Sequence, residues 1–177
     1  RDLTLFVGET LTPQQVLVFF KKICTDSEMG DAIFSLTSLY ESHSRYKEIT
    51  VFADEFLRTY PVHKLSSKIY SKLIETYETL KARDQVIKKL GAMADFCQNL
   101  NPDPDCKVDF KAVSLNISKK WWDIWLKNKT NPEFSNLTQR AFEILLSIDD
   151  EQQPDSKSRF AYAELLFQQE KYSFSAE

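Results

Sequence analysis

The stretch MGDAIFSLTSLYESHSRYKEITVFADEFLRTYP, Met29 to Pro61, decides the fold, because helix spacing, length and punctuation all fit a single helical hairpin. Ile33, Leu36, Leu39 and Tyr40 recur at three and four residues and stripe one helix, while Ile49, Phe52, Ala53, Phe56, Leu57 and Tyr60 stripe a second. Ser42 to Arg45 is the polar break between them, and Pro61 stops the second helix because it has no amide hydrogen to donate. Two amphipathic helices on a short turn leave apolar surface that another hairpin must cover. The expectation is therefore a stack of such units.

Working outward toward the C-terminus, the same pattern returns. Ile69, Tyr70, Leu73, Ile74, Tyr77 and Leu80 form one stripe, Lys81 to Asp84 a break, and Val86, Ile87, Leu90, Met93, Ala94, Cys97 and Leu100 a second stripe closed by Pro102-Asp103-Pro104. Tyr77 follows Tyr40 by 37 residues but Pro102 follows Pro61 by 41, so this unit carries a few extra residues late in its second helix. Gly91 costs that helix about 1 kcal/mol against Ala, and its expected purpose is close approach of a neighbouring helix.

Working toward the N-terminus, Thr12-Pro13-Gln14-Gln15 reads as an N-cap, a first-turn proline and a capping-box glutamine. Val16, Phe19, Phe20 and Ile23 stripe the helix it starts, Asp26 to Gly30 reads as a polar break, and the helix is expected to pack as the second half of an earlier unit. Leu3 to Val7 is too short to assign, and Gly8 ends it.

Farther along, Phe110, Val113, Ile117, Trp121 and Trp125 keep helical spacing while Val108, Leu115, Trp122 and Leu126 fill another face, so this long helix is expected to be buried on two sides. After a break at Asn128 to Pro132, Phe134, Leu137, Ala141, Ile144, Leu145 and Ile148 form its partner, and Asp149 to Pro154 is an acidic loop. A last helix from about Asp155 to Gln169 should turn Phe160, Ala163, Leu166 and Phe167 inward. All six prolines fall at helix starts or in breaks. That agreement between punctuation and periodicity makes the chain all-α.

Composition narrows the function classes. A chain of 177 residues buries roughly 70% of the surface its unfolded form exposes, enough for a real core. With 23 basic and 26 acidic residues the net charge is −3, which gives no footprint for nucleic acid or for an anionic membrane surface. Three glycines against the roughly 7% of an average protein point to long helices on short connections. No run approaches the roughly 18 apolar residues of a membrane span. The chain begins at Arg1, shows no signal-peptide pattern and ends at Glu177 as a helical pattern turns over, so it reads as a piece of a longer protein. Cys24, Cys97 and Cys106 lack metal-site spacing. Cys97 and Cys106 flank a proline turn and could pair in an oxidising compartment, the favoured reading being two unpaired thiols beside packed helices.

The hairpins resemble tetratricopeptide repeats, whose signature spaces a large residue, Leu, Gly, Tyr, Ala, Phe and Pro over about 34 residues. Ile33, Leu36, Thr37, Tyr40, Tyr46, Ile49, Ala53 and Pro61 occupy those spacings, with Thr37 in place of the small glycine and Ile49 and Ala53 reversing the usual small and large order. Arg159 to Glu177 is similar to the opening of another repeat, with Ala163, Leu166, Tyr172 and Ser175 at its small and aromatic positions. The resemblance implies a right-handed superhelix of stacked antiparallel helix pairs, a TPR-like α-α solenoid. Its repeats would cover about 29–61 and 66–102, with a divergent pair at 106–149 and an incomplete repeat at 156–177 in a single repeat region. Phrases such as Phe56-Leu57-Arg58-Thr59-Tyr60-Pro61 are similar to degenerate repeats of bacterial cell-envelope proteins, which gives a lean to the periplasm.

In such a stack the first helix of each pair lines the concave side and binds a segment of another protein without chemistry. Ser38, Glu41, Lys72, Glu75 and Thr76 are the expected groove contacts, set against plain solvated helix surface. Trp121, Trp122 and Trp125 lie within five residues; two follow the core stripe, so the cluster reads as a seam between helices, and Trp122 is the one expected to be exposed as an anchor. His43 and His63 sit in polar breaks without metal-ligand partners and read as satisfied or solvated loop histidines. Asp54-Glu55 reads as a solvated helix face. Asn116, Asn128 and Asn136 head Asn-x-Ser/Thr sequons that chance explains. With no phosphate-binding glycine run and no nucleophile elbow, the expectation is a non-catalytic scaffold with no cofactor and no metal. Its competitors are a structural spacer or self-association module of a larger envelope protein and, more remotely, a non-catalytic part of an enzyme.

Overall fold

The structure, a computed structural model, describes residues 6–7, 9–100, 104–148 and 155–169. The expectations for Leu3 to Leu5, Gly8, Pro102, Asp103, the 149–154 loop, Tyr172 and Ser175 lie outside these residues. Every regular element described is helical: α1 (Pro13–Ile23), α2 (Asp26–Ser42), α3 (Tyr46–Thr59), α4 (Ser66–Thr79), α5 (Arg83–Asp95), a π-helical turn (Phe96–Leu100), α6 (Pro104–Lys127), α7 (Pro132–Leu146) and α8 (Ser156–Gln168). The chain divides into two compact units, residues 1–89 and 90–177.

Local chemistry starts the helices of the first unit. Thr12 caps α1, accepting from the Gln15 amide while Gln15 Oε1 accepts from the Thr12 amide at 2.9 Å. The polar break expected at Asp26 to Gly30 is instead the first turn of α2, with Met29 and Gly30 buried. The reason is a second T-x-x-E box: the Glu28 carboxylate accepts from the Thr25 amide at 2.9 Å and from its hydroxyl at 2.8 Å. Those bonds, the backbone one foremost, hold the Glu28 carboxyl below the usual carboxylate range.

The two hairpins of this unit turn in the same way. Ser44 and Lys81 adopt left-handed backbone, at φ 57° and 58°. In each turn the next amide reaches back five residues, Arg45 to the Tyr40 carbonyl at 2.8 Å and Ala82 to the Tyr77 carbonyl at 2.9 Å. This is the Schellman closure, and it recurs at the 37-residue spacing of the two tyrosines.

Packing in the first unit is sequential and doubled. α1 contacts α2 and α3, α2 contacts α3 and α4, and α3 contacts α4. The core is built from Val16, Leu17, Phe20, Met29, Ile33, Leu36, Tyr40, Ile49, Phe52, Ala53, Phe56, Leu57, Ile69 and Leu73, with Tyr40 and Phe52 edge to face at 5.4 Å. Thr37 is buried as its small-residue position requires, and its hydroxyl donates to the Phe34 carbonyl at 2.6 Å. Ile23, expected in the α1 stripe, is 50% exposed, and Leu17 is buried in its place.

In the second unit α6 packs against α7, and α7 against α8. The α6 seam holds Phe110, Val113, Ile117, Trp121 and Trp125, joined by the small residues Ser114 and Ser118. Burial of α6 on a second side does not occur: Val108 is 64% exposed, Leu126 is exposed, and Leu115 and Trp122 are half-buried. α7 buries Phe142, which the stripe omitted, ahead of Ile144. α8 also departs from expectation. Leu165 and Leu166 are buried, while Phe160 and Phe167 are 72% and 61% exposed, because α7 meets the face carrying Ser158, Leu165 and Leu166.

The extra residues expected late in the second hairpin fall where α5 widens into the π-helical turn, the local form by which a helix absorbs an insertion. Cys97 in that turn is disulfide-bonded to Cys106 in the first turn of α6, with Cα atoms 5.4 Å apart, so the reading of two free thiols is corrected. Gly91 is corrected as well. A Cβ built there meets nothing within 4 Å.

Candidate functional site

The expected groove residues are carried by α2 and α4, whose contact sets one beside the other. Glu41 of α2 and Lys72 of α4 form an ion pair at 2.8 Å, and Glu75 lies 3.8 Å from the same ammonium. The hydrogen bond to Glu41 raises the pKa of Lys72, so this cation is held charged between two carboxylates. Ser38 is exposed one turn earlier on α2, its hydroxyl donating to the Phe34 carbonyl at 3.1 Å. Thr76 is not a groove contact: it is 5% exposed and donates to the Lys72 carbonyl at 2.7 Å. The face therefore offers Ser38, Glu41, Lys72 and Glu75, with one negative charge in excess.

On α3, which packs against both α2 and α4, lies a polar group that the sequence pattern missed. Asp54 of α3, expected as solvated surface, accepts from the Tyr77 hydroxyl of α4 at 2.6 Å and forms an ion pair with Lys89 of α5. Lys89 is only 18% exposed at its side chain. Burial, then the bond to Asp54, keeps the Tyr77 phenol protonated well above its ordinary range, so Tyr77 acts as a donor. The neighbour Glu55, about as exposed at its side chain as Asp54 (35% against 32%), pairs with Arg58 at 2.6 Å. No periodicity signals this network, because its three members come from three helices and each alone looks like surface or stripe.

Both histidines are engaged by backbone. His43 Nδ1 lies 2.8 Å from the Leu39 carbonyl. His63 Nδ1 accepts from the Leu65 amide at 3.1 Å, so its Nε2 carries the proton donated to the Asp26 carbonyl, also at 3.1 Å. Its ring lies against Gly30 and edge-on to Phe56 at 5.4 Å. Among the described residues no group of three or more His, Cys, Asp or Glu is placed to hold a metal ion.

Trp122 belongs to the second unit. It is half-buried, edge-on to Phe142 at 6.2 Å, and its Nε1 is buried without a hydrogen-bond partner among the described residues. Phe142 in turn meets Tyr162 of α8 at 5.9 Å, making a row of three rings across three helices. Tyr162 donates to Glu143 at 3.1 Å, and burial with that carboxylate pushes its phenol up to about 12. Trp122 is thus a packing residue before it is an anchor.

An open groove of about 340 Å³ runs along α1, lined by Leu11, Gln14, Gln15, Val18, Phe19 and Lys22. No described helix is long and apolar enough to cross a membrane. Comparison with known proteins finds no family model and no curated protein that matches this chain.

Proposed function

We propose that the chain is a TPR-like helical-repeat scaffold that holds a segment of a protein partner on the face carried by α2 and α4, without chemistry of its own. The observation that carries this reading is the recurring helical hairpin, with the same left-handed turn at Ser44 and Lys81, and with α1 and α2 each packed on their next and next-but-one neighbours. Those contacts are what stacked antiparallel pairs require, and stacking is the origin of an extended binding face. Glu41 and Glu75 flanking Lys72 favour a partner segment carrying basic or hydrogen-bond-donating side chains.

A second reading is favoured by the same residues. Glu41, Lys72 and Glu75 already satisfy one another, as expected of a spacer that positions other domains and binds no separate ligand. Cross-linking in cells with mass spectrometry, repeated with Glu75→Lys and Ser38→Arg, separates the two. Cross-links from Lys68 and Lys72 to one other protein, lost in the variants, support the scaffold. Cross-links confined to the same protein or to another copy of it sink the partner reading in favour of the spacer.

A further inference from the structure

The Cys97–Cys106 bond joins two elements that no other covalent link short of the chain itself holds at a corner. One end is the π-helical turn, the other the first turn of α6, nine residues apart in sequence. Both cysteines are buried, Cys97 fully and Cys106 almost so. Cys24, half-buried at the end of α1, is the remaining free thiol, and burial raises its pKa. We propose that Cys97–Cys106 is a structural clasp of the working protein, so that the second unit reaches its full stability only in an oxidising compartment, with Cys24 left unpaired.

Restricted access to the sulfurs and the shortness of the closed loop both favour a clasp, whatever the first unit binds. Exchange requires a thiolate to reach a disulfide sulfur, and sulfurs buried at this corner are shielded from small thiols, as suits a staple rather than a cycling redox centre. Closing so short a loop favours the folded state of the second unit by roughly a hundredfold in its folding equilibrium, on the chain-entropy view. A reducing cytosol would deny the chain that factor. The bond forms by exchange with a disulfide-carrying oxidant protein. One cysteine thiolate attacks the donor disulfide to give a mixed disulfide, and the second displaces the donor. The Cys97–Cys106 bond replaces the donor's S–S bond, and the two protons lost by the cysteines end on the donor's two thiols.

The test is a thiol census on protein taken from its own cells. Thiols are trapped by acid, alkylated in denaturant before and after reduction, and mapped by peptide mass spectrometry. The expected result is alkylation of Cys24 alone before reduction and of all three cysteines after it. Free Cys97 and Cys106 before reduction, or a bridge to Cys24, overturns the proposal. In parallel, urea unfolding of the purified chain is compared with and without a reductant. A loss of roughly a hundredfold in the folding equilibrium on reduction is expected, and an unchanged equilibrium overturns the clasp even if the bond is found. Both readouts use the unmutated chain, so neither depends on a variant that folds.

Discussion

Replacing Gly30 by Ala should destabilise the first unit, against the rule that Ala favours a helix, and should reverse sign when His63 is removed. An added Cβ at Gly30 would lie 2.6 Å from His63 Nδ1 and closer still to Cε1, so the imidazole must leave. Leaving forfeits the bonds to the Asp26 carbonyl and from the Leu65 amide, at 3.1 Å each, and the edge-on contact with Phe56. Two half-exposed hydrogen bonds at about 0.5–1 kcal/mol each and one aromatic contact of about 0.5–1 kcal/mol sum to roughly 1.5–3 kcal/mol. Helix propensity returns about 1 kcal/mol, leaving a net loss of about 0.5–2 kcal/mol. In a His63→Ala background only the propensity remains, and Gly30→Ala should stabilise by about 1 kcal/mol. Urea unfolding of the four proteins of the cycle, with hydrogen exchange of the α2 amides to place the change in the first unit, measures both. A Gly30→Ala change that stabilises in both backgrounds would refute the placement of the ring over Gly30.

Three further outcomes follow from backbone and cap geometry. Ser44→Gly and Lys81→Gly should each raise stability by about 0.5–1 kcal/mol in denaturant unfolding, since both positions hold left-handed backbone that Gly adopts without a Cβ penalty. Gly91→Ala should also stabilise, by about 0.5–1 kcal/mol, because the new methyl meets no neighbour within 4 Å; a loss of stability would show a close approach there after all. Asp155 caps α8 by accepting from the Ser158 amide at 3.2 Å, and that bond holds its carboxyl below the usual range. Its folded pKa being the lower one, the cap's contribution is full above the unfolded value near pH 4 and fades as pH falls through the folded one. Asp155→Ala should cost about 1 kcal/mol at neutral pH and nothing at strongly acid pH, read from α8 amide exchange.

Much of the site was out of reach of periodicity. Glu41, Lys72 and Glu75 meet because α2 packs on α4, yet helical register alone puts Thr76 on the surface when α4 buries it. Asp54 read as solvent-facing because its partners Tyr77 and Lys89 stand 23 and 35 residues away. Gly91 stands inside a clear helical stripe, whereas Gly30 falls in a polar stretch that reads as a break. The close approach is at Gly30, delivered by a histidine 33 residues downstream.

What the sequence by itself determined is local. The 3.6-residue stripes, the capping boxes, the prolines and the hairpin turns each depend on residues within one or two helical turns, and they define the helices and most of their ends. Tertiary structure decided which of several apolar faces is covered. α8 carries large side chains on two faces, and only the arrival of α7 buries Leu165 and Leu166 and leaves Phe160 and Phe167 in solvent. It decided too that Cys97 meets Cys106 at the π-helical corner and that His63 lies over Gly30. Periodicity specifies a face and not its neighbour, because helix geometry is set by bonds between residues four apart whereas burial is set by whichever distant segment packs there.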